Sequence, residues 1–214
     1  MRRVGPPPGK AKAGIVLAHG RYGRAEDILG LFEQAGLPDV VALAPEAPGN
    51  SWWPTSFLAP LAQIRPYVDS AVATMRSGIE ALEKEGLTRD KIWLGGFSQG
   101  ACLALETFAR EGEGLAGVFS LSGGLLGTDD APGGPQPELY GNTPKRLDYS
   151  GRRDGSKVWI SVFERDPMIP IRRVEDSIDV LRKTGAEVKT LFYPGEGHSA
   201  TQQDLAAMRR WLNT

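Results

Sequence analysis

Six short apolar runs alternate with longer amphipathic ones along the chain, and this rhythm constrains the fold more than any other feature. The runs are Ala13–Ala18, Val40–Ala44, Ile92–Gly95, Leu115–Leu121, Val158–Phe163 and Val188–Tyr193, each bounded by glycine, proline or charge. Several lack polar alternation, as expected of parallel strands covered on both faces. Between them apolar residues recur at helical spacing. One stripe is Ile28, Leu31, Phe32 and Ala35; another is Val68, Val72, Met75, Ile79 and Leu82; later ones are Val174, Ile178, Leu181 and Leu205, Met208, Leu212. Gly36, Gly86 and Gly185 each follow a stripe, where a left-handed C-terminal residue is wanted. Six strands alternating with five helices predict right-handed crossovers and an α/β fold with a mostly parallel, doubly wound sheet. No repeat or linker divides the chain, so a single domain is expected over residues 1–214.

Composition narrows the functional classes. The 214 residues carry a net charge of −1, with 41% hydrophobic and 24% charged residues, the profile of a soluble globular protein. Balanced charge offers no footprint for nucleic acid or an anionic membrane. No run approaches the roughly 20 apolar residues of a membrane span. The start, MRRVGPPPGKAKAG, has positive charge but no apolar stretch behind it. A cytoplasmic location is therefore the expectation, with residues 1–12 as a flexible or extended tail. Gly5-x-x-x-Gly9-Lys10 in that tail is one residue short of a phosphate-binding loop and has Ala11 where a magnesium-holding hydroxyl is needed. One cysteine excludes an internal disulfide or a cysteine-rich metal site. With two histidines, a histidine-dependent mechanism has few ways to be built.

Two segments break the rhythm. Residues 45–66 hold five prolines with Trp52, Trp53 and Phe57, and residues 123–156 are rich in glycine and proline with Tyr140 and Tyr149. Both follow strands, at the sheet edge where ligand sites collect in open α/β folds. The three aromatics are candidates for a wall of the substrate site.

Gly96-Phe97-Ser98-Gln99-Gly100 follows a strand and opens an apolar helix. A serine there sits on a sharp turn, and the flanking glycines remove β-carbons that would collide with strand and helix. The turn exposes the hydroxyl and aims the Gln99 N–H at the same point, beside the positive end of the helix. A serine alcohol needs a base. In hydrolases with this elbow the chain order is serine, acid, histidine. His198 follows Ser98, in PGEGH just past the last strand, whereas His19 precedes it. His19-Gly20-Arg21 ends the first strand and suits the loop donating the second oxyanion N–H, so the Arg21 and Gln99 N–H groups are the expected donors and His19 shapes the loop. Many carboxylates lie between Ser98 and His198. Asp166 is favoured as the acid because it directly follows a strand and Pro167 stiffens its turn, with Glu164 second. Asp129, Asp130 and Asp154 lie in loops of unknown path. Cys102, four residues past Ser98, reads as a buried inert thiol.

At these residues the chain resembles the phospholipase/carboxylesterase family of α/β hydrolases, the group that includes acyl-protein thioesterases. The matching pieces are HGRYGRAEDIL from His19, APEAPGNSWWPTSFLAP from Ala44, LGGFSQGACLALE from Leu94, LSGGL from Leu121, DPMIP from Asp166 and PGEGHS from Pro194. The resemblance implies an α/β-hydrolase fold, a Ser98–Asp166–His198 triad and no cofactor; separately, no His, Asp or Glu cluster has metal-ligand spacing, so no metal is expected. Tyr22 stands where the family usually has a small residue, which would narrow the oxyanion or leaving-group side and makes Tyr22 a candidate substrate contact. The expected function is hydrolysis of small to medium acyl esters through an acyl-enzyme. Lysophospholipase or acyl-protein thioesterase activity is the alternative, and from another class a small-molecule receptor on a hydrolase scaffold. The expected partner is a small ester, with no nucleic acid and no membrane span; a homodimer stays open.

Overall fold

The computed structural model describes residues 1–213, so Thr214 of the expected domain lies outside it. The elements in chain order are β1 (Arg2–Val4), β2 (Ala13–Ala18), α1 (Ala25–Glu33), β3 (Val40–Ala44), α2 (Leu61–Lys84), β4 (Ile92–Phe97) and α3 (Gln99–Glu111). There follow β5 (Gly117–Leu121), β6 (Asp129–Asp130), β7 (Lys145–Arg146), β8 (Lys157–Arg165), α4 (Ile171–Lys183), β9 (Glu187–Glu196) and α5 (Gln202–Leu212). Seven strands form one sheet in the order β1-β3-β2-β4-β5-β8-β9, parallel throughout except for β1.

Successive strand residues face opposite layers, and both layers are buried. Val16 and Leu43 point to α2, α3 and α4, where Ile64, Met75, Leu103 and Val174 pack. Ile15 and Ala42 point to α1 and α5, against Ile28, Phe32, Met208 and Trp211. The helices end as expected, with Gly36, Gly86 and Gly185 at φ of 64, 97 and 93°.

The strand order reverses at β2, which has β3 on one side and β4 on the other. The crevice beyond the C-terminal ends of β2 and β4 is the place where such sheets bind ligands. His19 follows β2 and Ser98 follows β4, so both open into that crevice.

Of the two forms expected for residues 1–12, flexible or extended, the start takes the extended one, and one boundary needs correction. Arg2–Val4 pairs antiparallel with β3, and Arg3 donates to Glu85 and to the Pro6 carbonyl. The open edge of β3 offers the unpaired backbone groups that such a short segment needs. The first irregular segment ends at Pro60, and Pro66 lies inside α2 on its exposed side. The start of α2 is capped from afar: the Asp130 carboxylate accepts the Leu61 N–H at 3.1 and 3.2 Å. No helix among the described residues is long and apolar enough to cross a membrane.

Candidate active site

The turn between β4 and α3 carries Ser98 at φ 55° and ψ −121°, a backbone state that costs a non-glycine residue about 1–3 kcal/mol. Surrounding contacts enforce it. The Ser98 N–H donates to the Leu121 carbonyl at 2.9 Å, and the Cys102 N–H donates to the Ser98 carbonyl at 3.0 Å. The glycines permit the approach: a Cβ on Gly96 would lie 2.4 Å from the Gly100 carbonyl, and one on Gly100 would lie 2.1 Å from the Ala18 carbonyl oxygen. Helix α3 is thus pressed against the ends of β2 and β4, and Ser98 is lifted to the corner.

Three side chains from separate strand ends meet there. His198 Nε2 is 2.8 Å from Ser98 Oγ. His198 Nδ1 is 2.9 and 2.8 Å from the two Asp166 oxygens. Asp166 is buried, and its Oδ1 also accepts the Met168 and Ile169 N–H groups at 2.8 and 3.0 Å. These two N–H donors, with His198 Nδ1, fix the orientation of the carboxylate. Tyr140 Oη donates to the Asp166 carbonyl at 2.5 Å, holding the same turn from outside. The His198 ring leans on Phe97, with centroids 5.1 Å apart. Helix α5 needs no cap from His198, because the Thr201 hydroxyl accepts the Gln203 and Asp204 N–H groups.

The Arg21 and Gln99 N–H groups have no hydrogen-bond acceptor among the described residues. Gly20 brings the first loop close: a Cβ there would stand 3.5 Å from Ser98 Cβ. His19 is buried and fully engaged. Its Nε2 accepts the Ala47 N–H at 3.1 Å, so Nδ1 carries the proton donated to the Gly20 carbonyl at 2.8 Å. It clamps the β2 loop to the segment after β3.

The Gln99 side chain has a second task that a motif reading does not show. Its Oε1 accepts the Trp52 N–H at 2.9 Å and its Nε2 donates to the Trp53 carbonyl at 2.8 Å, tying the tryptophan segment to the elbow. The two tryptophans share a pocket on the outer side of the segment, but only one of them also borders Ser98. Trp53 and Phe57 line a pocket of about 120 Å³ with Ser98, Cys102, Met168 and Ile169. Trp52 is absent from that pocket; its indole N–H donates to the His19 carbonyl at 2.9 Å and its ring packs on His19. The expectation that Trp52 walls the site is therefore corrected. Tyr22 is also misplaced by the sequence reading. Its φ of 64° and the bond from its N–H to the Asn50 carbonyl put the ring outside, 79% exposed. Cys102 is buried in the pocket wall, and desolvation pushes its thiol up to about 12, far from a nucleophilic thiolate.

The competing carboxylates lie elsewhere. Glu164 lines an outer groove behind Asp166 with Arg172 and Glu175, Asp154 pairs with Arg152, and Asp130 caps α2. Among the described residues, no three His, Cys, Asp or Glu side chains gather as metal ligands.

The phospholipase/carboxylesterase family profile matches residues 36–137. Acyl-protein thioesterase 1 of Neurospora crassa is 31% identical over 137 residues, covering 62% of this chain and 51% of that protein. The chain thus spans about half the length of the curated relatives it matches first. A crystal structure of a phospholipase/carboxylesterase from Dyadobacter fermentans superposes with a TM-score of 0.84 at 32% identity, covering 100% of this chain and 95% of that one. The crystal structure of esterase PE8 gives 0.73 at 26% identity, over 99% and 96% of the two chains.

Proposed function

The chain belongs to the phospholipase/carboxylesterase family of α/β hydrolases, and from that premise we propose that it is a serine carboxylic-ester hydrolase working through an acyl-enzyme on Ser98. The observation that carries this reading is the continuous relay from Ser98 Oγ through His198 to a buried, doubly braced Asp166, with distances of 2.8 to 2.9 Å.

In the first half-reaction His198 Nε2 takes the Ser98 proton as Oγ attacks the ester carbonyl carbon. The carbonyl oxygen, gaining negative charge, is met by the Arg21 and Gln99 N–H groups. Their freedom from other acceptors means that no protein hydrogen bond has to break. His198 then gives its proton to the departing oxygen. In the second half, water gives a proton to His198 and attacks the acyl-enzyme, and Ser98 is restored. Asp166 holds Nδ1 so that Nε2 faces Ser98 and balances the imidazolium while it exists.

The acyl group falls to the pocket of Trp53, Phe57, Cys102, Met168 and Ile169. At about 120 Å³ it is smaller than the roughly 150 Å³ apolar cavity that accommodates benzene, so short acyl chains fit and long ones protrude. This favours a carboxylesterase over a lysophospholipase. A thioesterase is the second reading, favoured by the Neurospora crassa relative's name. Oxyesters and thioesters of one short acyl group, compared side by side, separate the two.

The test of the nucleophile is covalent labelling by a fluorophosphonate in the native protein and in Ser98→Ala. Labelling and ester hydrolysis are expected in the first and absent from the second. Equal labelling of both proteins overturns the assignment.

A further inference from the structure

Arg21 borders two cavities. One is the small pocket beside Ser98 and Gln99. The other is a groove of about 450 Å³ between α1, the end of β4 and the loop carrying His198, and the acyl-transfer steps above leave it unused. Its apolar walls are Ile28 and Leu31 from α1, Phe97 from β4, and Ala200. We infer that this groove is the subsite for the alcohol half of the ester, and that it takes an apolar alcohol of aryl or medium alkyl size. The inference rests on the esterase reading and deepens it.

The proton path decides which cavity receives which half. The leaving oxygen must lie within reach of His198 Nε2, because that nitrogen protonates it. The groove is lined by His198 and not by Ser98 or Gln99, whereas the small pocket is lined by Ser98 and Gln99 and not by His198. With the carbonyl oxygen at the two N–H groups, the acyl chain takes the small pocket and the alcohol takes the groove. Its volume lies within the ordinary range for small-molecule sites, about 300–1,000 Å³, and is several times that of the acyl side.

Charge selects further. Arg21 and Asp27 are the charged residues along the groove. The Arg21 guanidinium is turned away, donating to the Thr55 carbonyl. Asp27 is exposed and accepts the Arg24 N–H at 2.7 Å, so a carboxylate stands at the rim. A phosphate-bearing leaving group would meet a like charge there, and an uncharged alcohol would not.

The same geometry runs in reverse. An alcohol bound in the groove gives its proton to His198 Nε2 while its oxygen bonds to the acyl carbon. The acyl–Oγ bond then breaks and Ser98 regains the proton. An apolar alcohol therefore competes with water for the acyl-enzyme and yields a new ester.

The experiment measures kcat/KM for methyl, butyl, hexyl and benzyl acetate in the native protein, Leu31→Trp and Leu31→Ala, with benzyl alcohol added as acceptor in a second series. Leu31 is half-buried in the groove wall and has no part in the proton relay. Expected in the native protein is a rise from methyl to benzyl acetate on the order of tenfold or more. Leu31→Trp should erase that rise and the formation of benzyl ester, lowering the benzyl-to-methyl ratio of kcat/KM towards one. Leu31→Ala should move the preference towards bulkier alcohols. A flat alcohol series in the native protein, or a benzyl-to-methyl ratio the same in all three proteins, overturns the groove assignment. Fluorophosphonate labelling run in parallel keeps the two ideas apart. Labelled Ser98 with a flat series removes only the groove, while an unlabelled native protein removes the esterase reading and the groove with it.

Discussion

The segments 45–60 and 123–156 leave the same edge of the sheet, after β3 and β5, and differ in the polar groups that hold them down. The first is anchored by buried aromatics, Trp52, Trp53 and Phe57, and by the Gln99 amide. The second buries Leu125, Leu126 and Leu139 and is tied in addition by charge and hydroxyl groups. Lys145 Nζ, with its side chain fully buried, donates to the Ala59 carbonyl at 2.7 Å and to Asp130. Tyr149 Oη donates to the buried Glu106 at 2.6 Å and accepts the Gly127 N–H at 2.9 Å. The buried Arg153 guanidinium donates to the Phe108 and Ala109 carbonyls, satisfying the end of α3. Of this second segment Glu138 and Tyr140 line a groove with Asp166, and Tyr140 donates to the Asp166 carbonyl. Proximity to Ser98 and tightness of anchoring are thus separate properties. The aromatic segment lines the pocket beside Ser98, and the polar strap ties down the end of α3 and the turn at Asp166.

Changes in the two segments should therefore fail differently. The largest effect is expected from Trp53→Ala. Removing a buried indole from the pocket wall should cost about 3–5 kcal/mol in denaturant unfolding. It should also shift the ester preference towards longer acyl chains, as read from an acyl-length series. Unchanged acyl preference would separate Trp53 from specificity and break the contrast. Next is Tyr149→Phe in the strap. It leaves Glu106 without one donor and the Gly127 N–H without its acceptor, at a cost of about 1–3 kcal/mol. The acyl preference should stay that of the native protein; a shift there would show that the strap also shapes the pocket.

The smallest effect is one of pH. Burial alone would raise the Asp130 carboxyl, but the Lys145 ammonium and the Leu61 N–H hold it below its ordinary 3.8. A folded-state value below the unfolded one gives stability that is present above the unfolded value. That stability is lost as pH falls through the folded value. The difference in denaturation midpoint between the native protein and Asp130→Asn should accordingly narrow below about pH 4. A difference constant with pH would show that the Lys145–Asp130 pair does not contribute through its charge.

Much of this organisation is legible in the amino-acid order. The six central strands carry their own apolar runs, and the helices carry their own stripes and terminal glycines, so local pattern suffices for them. β1 is not legible, because Arg2–Val4 is short, with two charged residues of three, and becomes a strand only against β3. The start of α2 at Leu61 is hidden because its cap, Asp130, lies 69 residues away. Among the candidate site residues, Ser98, Asp166 and His198 meet because each follows a strand of one parallel sheet, and parallel strands deliver their C-terminal ends to a common edge. Trp52 and Tyr22 resisted the same reasoning. Their direction depends on the Gln99 and His19 tethers and on a left-handed backbone, and none of these has a signature in residue type. The groove walls Ile28 and Leu31 looked like ordinary positions on a core stripe.

The sequence by itself determined the alternating architecture, the strained serine elbow, and the placement of the two histidines after different strands. These follow from periodicity, glycine sterics and chain order, which are local or ordinal properties. Only the tertiary structure decided which tryptophan faces Ser98 and how the strap is fastened. It alone divides the space beside Arg21 into a small pocket and a larger groove. The reason is that each of these depends on partners distant in sequence, and a side chain's direction is set by whatever the fold has packed against it.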